Sequence, residues 1–393
     1  MPVCDTKALK LRRLTLTDFR NYARLRVEAD GMPVVLCGPN GAGKTNLLEA
    51  ISLLAPGRGL RGVAFEDLAR RGNGATWAVA GDVEGPIGAV QLGTGWRREP
   101  EGLPGPGTAS GRTVRIEGLP QKGSGALGQH VRALWLTPAM DRLFTGPAAD
   151  RRRFLDRLVM AFDPEHGSRI LAFEKALKER NRLLTERRPE AAWLDGIEQQ
   201  AAESGVAVAA ARLAAVSALS AFLGEAQARA QGNAFPWAEI RIEGDLEMRL
   251  SEAPAVQVED EYRRRLRESR GIDQQAGRTT AGPHRSDLVT VHGPKGAEAR
   301  FCSTGEQKAL LVGIVLAHAR AVRSEFEGWA PLLLLDEVAA HLDEEHRAGL
   351  FAAVGELGCQ AWMTGTDAAM FRPLQGKAEF WRLDEGVVAR QEA

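Results

Sequence analysis

Hydrophobic and polar positions alternate with period two at the start of the chain, over 10–18 and again over 23–28, as half-buried strands require. The apolar run 33–37 follows and stops at a glycine loop. Behind the loop the period changes. Leu47, Leu48, Ile51 and Leu54 fall on one face of a helix predicted over 46–54. Short strands are predicted over 76–83, 87–93 and 113–117. The Pro/Gly-rich stretch 99–111 between the last two reads as a mobile loop.

From about residue 150 the pattern is helical. Segments 150–188 and 191–230 are rich in Ala, Leu, Arg and Glu, and Pro189 between them predicts two helices that turn back on one another. Phe173, Leu177 and Leu184 share a face, but the heptad does not persist, so the arm is short. Strand-like alternation returns over 238–250 and 285–292, on either side of a helix over 258–269. A helix over 305–324, the apolar strand Leu332–Leu335 and further helix–strand alternation complete the chain. The expected architecture is α/β: a parallel head from both chain ends, residues 1–149 and 278–393, with a mainly helical arm at 150–277. The strands at 76–117 belong to the head, and no solenoid-length repeat is evident.

Composition adds little to this picture and removes several alternatives. At 393 residues the chain is longer than one compact domain needs, and 44% hydrophobic residues are enough for a substantial core. The 51 basic and 51 acidic residues cancel, so any nucleic-acid surface must be local. Cys4, Cys37, Cys302 and Cys359 lack metal-ligand spacing and read as reduced thiols. The N-terminus has no apolar signal core, and the apolar stretch 205–223 carries Arg212, so a cytoplasmic protein without a membrane span is expected.

The chemistry lies in the loops. Gly38, Pro39, Asn40, Gly41, Ala42, Gly43, Lys44 and Thr45 satisfy G-x-x-x-x-G-K-[ST], after an apolar strand and at the start of a helix that opens with Asn46. Glycines there let backbone N–H groups wrap phosphates. Lys44 would neutralise the β- and γ-oxygens of ATP, and the Thr45 hydroxyl would ligate Mg²⁺. A plain glycine turn is the bland alternative, and the complete match in this setting outweighs it. Leu332–Leu335 ends in Asp336 and Glu337, a Walker B pattern in which Asp336 supports the Mg²⁺ shell and Glu337 polarises the attacking water. Ser303, Gly305 and Gln307 would by themselves be an ordinary helix start. In a P-loop chain, 33 positions before Asp336 by 336 − 303, they resemble the ABC signature, a donor cluster for the γ-phosphate held by a second subunit. Asp343, in His341-Leu342-Asp343, resembles the D-loop.

Lys44 and Ser303 lie 259 positions apart (303 − 44), too far for a transporter ATPase subunit, and the layout is similar to SMC-type ATPases with a reduced arm. Within that group the chain resembles the RecF family of bacterial DNA replication and repair proteins. The resemblance rests on Asp18-Phe19-Arg20-Asn21-Tyr22, the P-loop running on into residues 46–51, and Gly59-Leu60-Arg61. It also rests on Gly146-Pro147 with residues 151–156 (Arg-Arg-Arg-Phe-Leu-Asp), and on residues 280–288, Thr-Ala-Gly-Pro-His-Arg-Ser-Asp-Leu. It implies an ATP-dependent protein that dimerises on gapped or junction DNA and loads recombinase together with RecO and RecR. Two ABC features are missing: 136–141 holds no glutamine, and Met363-Thr364-Gly365-Thr366-Asp367 stands where a switch histidine is expected. A slow ATPase is the expected consequence.

DNA contacts must come from basic clusters. Arg263, Arg264, Arg265, Arg267 and Arg270 lie beside acidic residues and read as a solvated face, whereas Arg61 and Arg152, within family-matching stretches, are the better candidates. Two other functions fit the sequence less well. A transporter's ATPase subunit conflicts with the long insertion, and a chromosome-organising ATPase conflicts with the short arm.

Overall fold

A computed structural model describes residues 7–72, 76–98, 111–186, 190–228 and 234–391. Residues 99–110 of the loop predicted over 99–111, the separator Pro189 and Cys4 lie outside the described residues. The chain divides into two compact units. The first takes the described residues up to Asp141, 234–236 and those from Thr304 on; the second takes 142–228 and 237–303.

The first unit opens with β1 (Lys10–Phe19) and β2 (Tyr22–Glu28), then β3 (Val34–Cys37) and α1 (Lys44–Ser52). Strands β4 (Thr76–Gly85), β5 (Gly88–Arg97), β6 (Thr113–Ile116), β7 (Leu119–Gln121) and β8 (Ala133–Leu136) follow. The second unit holds α2 (Ala148–Phe162), α3 (His166–Leu184), α4 (Ala191–Ala228), β9 (Ala238–Glu243), α5 (Asp245–Glu252), α6 (Ala255–Glu268), α7 (Arg270–Ala276), β10 (Asp287–His292) and β11 (Ala297–Glu298). The first unit then resumes with α8 (Thr304–Glu325), β12 (Leu332–Leu335), α9 (Glu344–Leu357), β13 (Ala361–Gly365), β14 (Glu379–Asp384) and β15 (Val387–Gln391).

Two six-stranded sheets make the first unit. One is antiparallel, in the order β2-β1-β4-β5-β6-β7; the other runs β15-β14-β3-β13-β12-β8, parallel from β14 to β8 and closed by antiparallel β15. Helix α1 packs against both β1 and β13, and Leu47, Leu48, Ala50 and Ile51 are fully buried in the core the two sheets share. A β-bulge between Leu11 and Arg13 interrupts the β1–β4 ladder. Gln360, just before β13, satisfies the Leu11 backbone there: its Oε1 accepts from Leu11 N at 2.7 Å and its Nε2 donates to Leu11 O at 3.3 Å. One buried amide thus ties the antiparallel sheet to the parallel one.

The second unit corrects three expectations. The helical stretch 150–188 is broken at Asp163-Pro164, because proline cannot continue a helix, so α2, α3 and α4 replace the two helices predicted. The alternation over 238–250 ends at Glu243, and Gly244 caps α5, which starts at Asp245. The boundary expected at 278 moves to the far side of β11, because β10 pairs with β9 and β11 in a three-stranded sheet that belongs with the helices.

Helices α3 and α4 run antiparallel: Leu184 clusters with Leu194 at the turn, while Phe173 meets Gly205 further along. By length and composition α4 could cross a membrane, but Arg212 in its middle is buried against Asp156, with Nε–Oδ1 at 2.7 Å and Nη2–Oδ2 at 2.9 Å. A second buried arginine, Arg180, reaches Glu198 (3.0 Å), Asp273 (2.7 Å), Thr279 (2.8 Å) and the Leu266 carbonyl (2.6 Å). Removing one partner from such a network strands the others without water. Arg180→Ala should therefore cost about 3–5 kcal/mol, read as a lowered urea midpoint for the loss of far-UV circular dichroism, whereas an unchanged midpoint would mean the network contributes nothing.

Candidate nucleotide site

The strand order decides what meets what. In the parallel sheet β13 lies between β3, which leads into the glycine loop, and β12, which leads into Asp336. Gly365 is level with Cys37, and Met363 with Leu335, so three strand ends open at one edge. An open parallel sheet binds ligands at the carboxyl ends of its strands.

The loop from Gly38 to Thr45 needs its glycines. A Cβ on Gly38 would stand 2.1 Å from the Leu383 carbonyl oxygen. Gly43 caps α1 at φ 104°, and a Cβ there would stand 2.5 Å from the Tyr22 hydroxyl. Tyr22 donates to the Gly43 carbonyl at 3.1 Å, and burial pushes its phenol pKa up. Lys44, buried at the start of α1, donates from Nζ to the carbonyls of Gly38 (2.7 Å) and Pro39 (3.0 Å). Cys37, the last residue before the loop, is pushed up to about 11 by burial and is no reactive thiol.

The two candidate motifs, the glycine loop and the Asp336–Glu337 pair, meet directly. The Thr45 hydroxyl donates to Asp336 Oδ1 at 2.9 Å. Thr364, at the end of β13, donates to the same oxygen at 2.8 Å and accepts the Glu337 amide at 2.8 Å. Glu337 has φ 54°, in the left-handed region that side-chain-bearing residues seldom enter. Asp336 also lines a small pocket, together with Thr137, Pro138, Asp141, Lys308 and Val338 among others. Lys308 pairs there with Asp141 at 3.2 Å, in the segment where no glutamine stands.

Three sequence stretches converge on Glu49, a fully buried carboxylate of α1. Arg20 donates to it from Nε (2.8 Å) and Nη2 (3.0 Å), and Arg61 from Nη1 (2.8 Å). Arg61 also reaches Asn46 Oδ1 at 2.9 Å, and Asn46 donates to Asn21 at 2.8 Å. The turn after β1, helix α1 and the loop at 59–61 are thereby one charge-satisfied unit. Sequence reading missed Glu49 and Thr364. Glu49 falls opposite the face of Leu47, Leu48, Ile51 and Leu54, where a carboxylate reads as solvated, and strand order, which alone reveals the second, has no local signature.

The remaining predicted residues are placed less centrally. Ser303 and Gly305 are exposed at the N-terminal end of α8, while Gln307 is buried in its first turns. Asp343 caps α9, accepting the His346 amide at 2.8 Å, and that bond, with the His346 ring, holds its carboxyl below the usual range. In the second unit, Arg151 grips Asp287 through two 2.7 Å bonds, and Arg152 donates to the Ser286 carbonyl at 2.8 Å. Arg152 is therefore engaged within the fold, and burial and the nearby Arg212 lower its pKa. Four arginines of the cluster over 263–270 are paired: Arg263 with Asp260, Arg265 with Asp245, Arg267 and Arg270 with Asp195.

A protein of Mesorhizobium japonicum named DNA replication and repair protein RecF is 53% identical over 383 residues, which are 97% of this chain and 98% of that one. The chain belongs to the RecF family. No protein-family model matches it. Two solved structures, described as the recombination mediator protein RecF-ATPrS and RecF-ATP in the RecFOR pathway, superpose with TM-scores of 0.83 and 0.81 at 21% identity, and each comparison covers at least 98% of both chains. These confirm the α/β head expected from sequence. The stretches that carried the resemblance to the RecF family occupy two structural knots: one around Glu49, the other where α2 grips β10.

Replacing Glu49 by glutamine keeps its size but removes the charge that Arg20 and Arg61 share. Because both arginines are partly solvated, Glu49→Gln should cost about 1–3 kcal/mol, read as a lower urea midpoint, and a neutral result would show that solvent already satisfies both arginines.

Proposed function

We propose that this chain is a DNA-dependent switch that binds ATP with Mg²⁺, pairs with a second copy of itself, and resets by slow hydrolysis. The observation that carries the reading is the junction of Thr45, Asp336, Thr364 and Glu337 at the mouth of the glycine loop. Oxygen donors of this kind, a hydroxyl and a carboxylate side by side, suit Mg²⁺. Thr45 and Asp336 would hold the ion, which supplies positive charge to the phosphate oxygens. The loop's N–H groups and Lys44 cradle the phosphates, with Lys44 exchanging its two carbonyl partners for phosphate oxygens. Glu337 takes the proton of the water that attacks the γ-phosphorus, and ADP departs as leaving group.

Exposure of Ser303 and Gly305 at the start of α8 supports their use in trans, as part of the donor set for the nucleotide of another copy. Asp343 would help the two copies communicate. The missing glutamine and switch histidine support slow turnover, in which ATP times the life of a dimer on DNA. The solved relatives are described in the RecFOR pathway. By that likeness the dimer would bind gapped or junction DNA in the cytoplasm and act with RecR and RecO in loading recombinase. Arg61, still partly exposed, remains the DNA candidate of the first unit; Arg152 contributes first by holding Ser286.

Glu337→Gln should keep ATP-driven dimers in light scattering while turnover falls at least ~100-fold, the usual contribution of a general base; monomers with ATP and Mg²⁺ would rule out the sandwich. Gel shifts should show ATP-strengthened binding to gapped or duplex-containing DNA over single strands, and equal, ATP-indifferent binding to all three would remove the repair reading.

A further inference from the structure

We infer that Thr364 is the positioning residue of this site, a hydroxyl that orients the Asp336 carboxylate and the Glu337 backbone together in place of the histidine expected after this strand. The inference rests on the roles of Asp336 and Glu337 proposed above. Its evidence is independent of them. Thr364 is 1% exposed and stands near the end of β13, the strand that lies between the loop-bearing β3 and the Walker B strand β12. A hydroxyl has one proton to give and lone pairs to receive. Here the proton goes to Asp336 Oδ1 and a lone pair takes the Glu337 N–H, both at 2.8 Å.

Each bond has a consequence. Asp336 Oδ1 accepts from Thr45 and Thr364 at once. With that oxygen fixed from two sides, rotation of the carboxyl group is blocked. Glu337 sits at φ 54°, a conformation that persists only where its surroundings hold it. The bond from its amide to a buried hydroxyl is such a restraint, and it sets the direction in which the Glu337 side chain leaves the backbone. Burial keeps water from substituting for the threonine. The β-branch of Thr364 further limits its χ1, so the hydroxyl has little freedom to turn away.

The test compares Thr364→Val, which keeps the shape and deletes the hydroxyl, with Thr364→Ser, which keeps the hydroxyl, in the full chain with saturating Mg²⁺-ATP. Removal of a supporting bond of this kind typically costs 10–100-fold in activity. Thr364→Val should lower kcat by about that factor, and Thr364→Ser should stay within about threefold of the parent. ATP affinity measured in EDTA should be unchanged in both. Thr364→Val should add almost nothing to the loss in Glu337→Gln, because groups that act as a unit are not additive. If Thr364→Val fails to fold, Thr364→Cys, which keeps the volume and weakens the bond, takes its place with the same expectations. An unchanged kcat in the valine or cysteine variant, an equal loss in the serine variant, or fully additive losses would overturn the inference. Wild-type turnover by Glu337→Gln would instead overturn the proposed function beneath it.

Discussion

The first unit is organised around one carboxylate oxygen. Asp336 Oδ1 accepts hydroxyls from Thr45 and Thr364, and those residues stand at the ends of three neighbouring elements: the start of α1, the end of β13 and the loop after β12. Much of the packing described above serves that convergence. The glycines at 38 and 43 let the loop pass close to Leu383 and Tyr22. The buried face of α1 fixes its start between two sheets, and Gln360 locks β13 against the bulge in β1. Were any of these displaced by an ångström, the hydroxyls would fall outside bonding distance of Asp336.

Buried charge does the corresponding work elsewhere. Glu49 is matched by Arg20 and Arg61, Arg180 by Glu198 and Asp273, and Arg212 by Asp156. Buried ion pairs add little net stability, because desolvation offsets the attraction, but they tolerate few alternative arrangements. That explains why the stretches most diagnostic of the RecF family are rich in arginine and carboxylate rather than in apolar residues: they define which segments may dock on which.

Much of this was legible in the sequence, for identifiable reasons. The P-loop, the Asp336–Glu337 pair and the strands β1 to β3 are local patterns, and local patterns survive without a fold. Strand β8, four apolar residues with no alternation, was missed, as periodicity cannot separate such a run from a helix segment. Pro164 sits in a stretch whose composition otherwise reads as continuously helical, and α5 reads as a strand because eight residues carry too few turns to show their period. In the sequence, Thr364 marks only a position lacking histidine. Its role depends on β13 lying between β3 and β12, a fact of topology that no spacing along the chain encodes.

The central claim is that each nucleotide site is completed by another copy of the chain. Mixing two separately inactive variants tests it most directly: Lys44→Ala, which disables the phosphate loop, and Ser303→Arg, which blocks the exposed signature. A mixed pair would contain one intact site, formed by the loop of the Ser303→Arg copy and the signature of the Lys44→Ala copy. The account predicts that ATP turnover, absent from either variant alone, returns on mixing. If turnover stays absent in mixtures that form dimers, the two halves of the site do not come from different copies, and the account is contradicted.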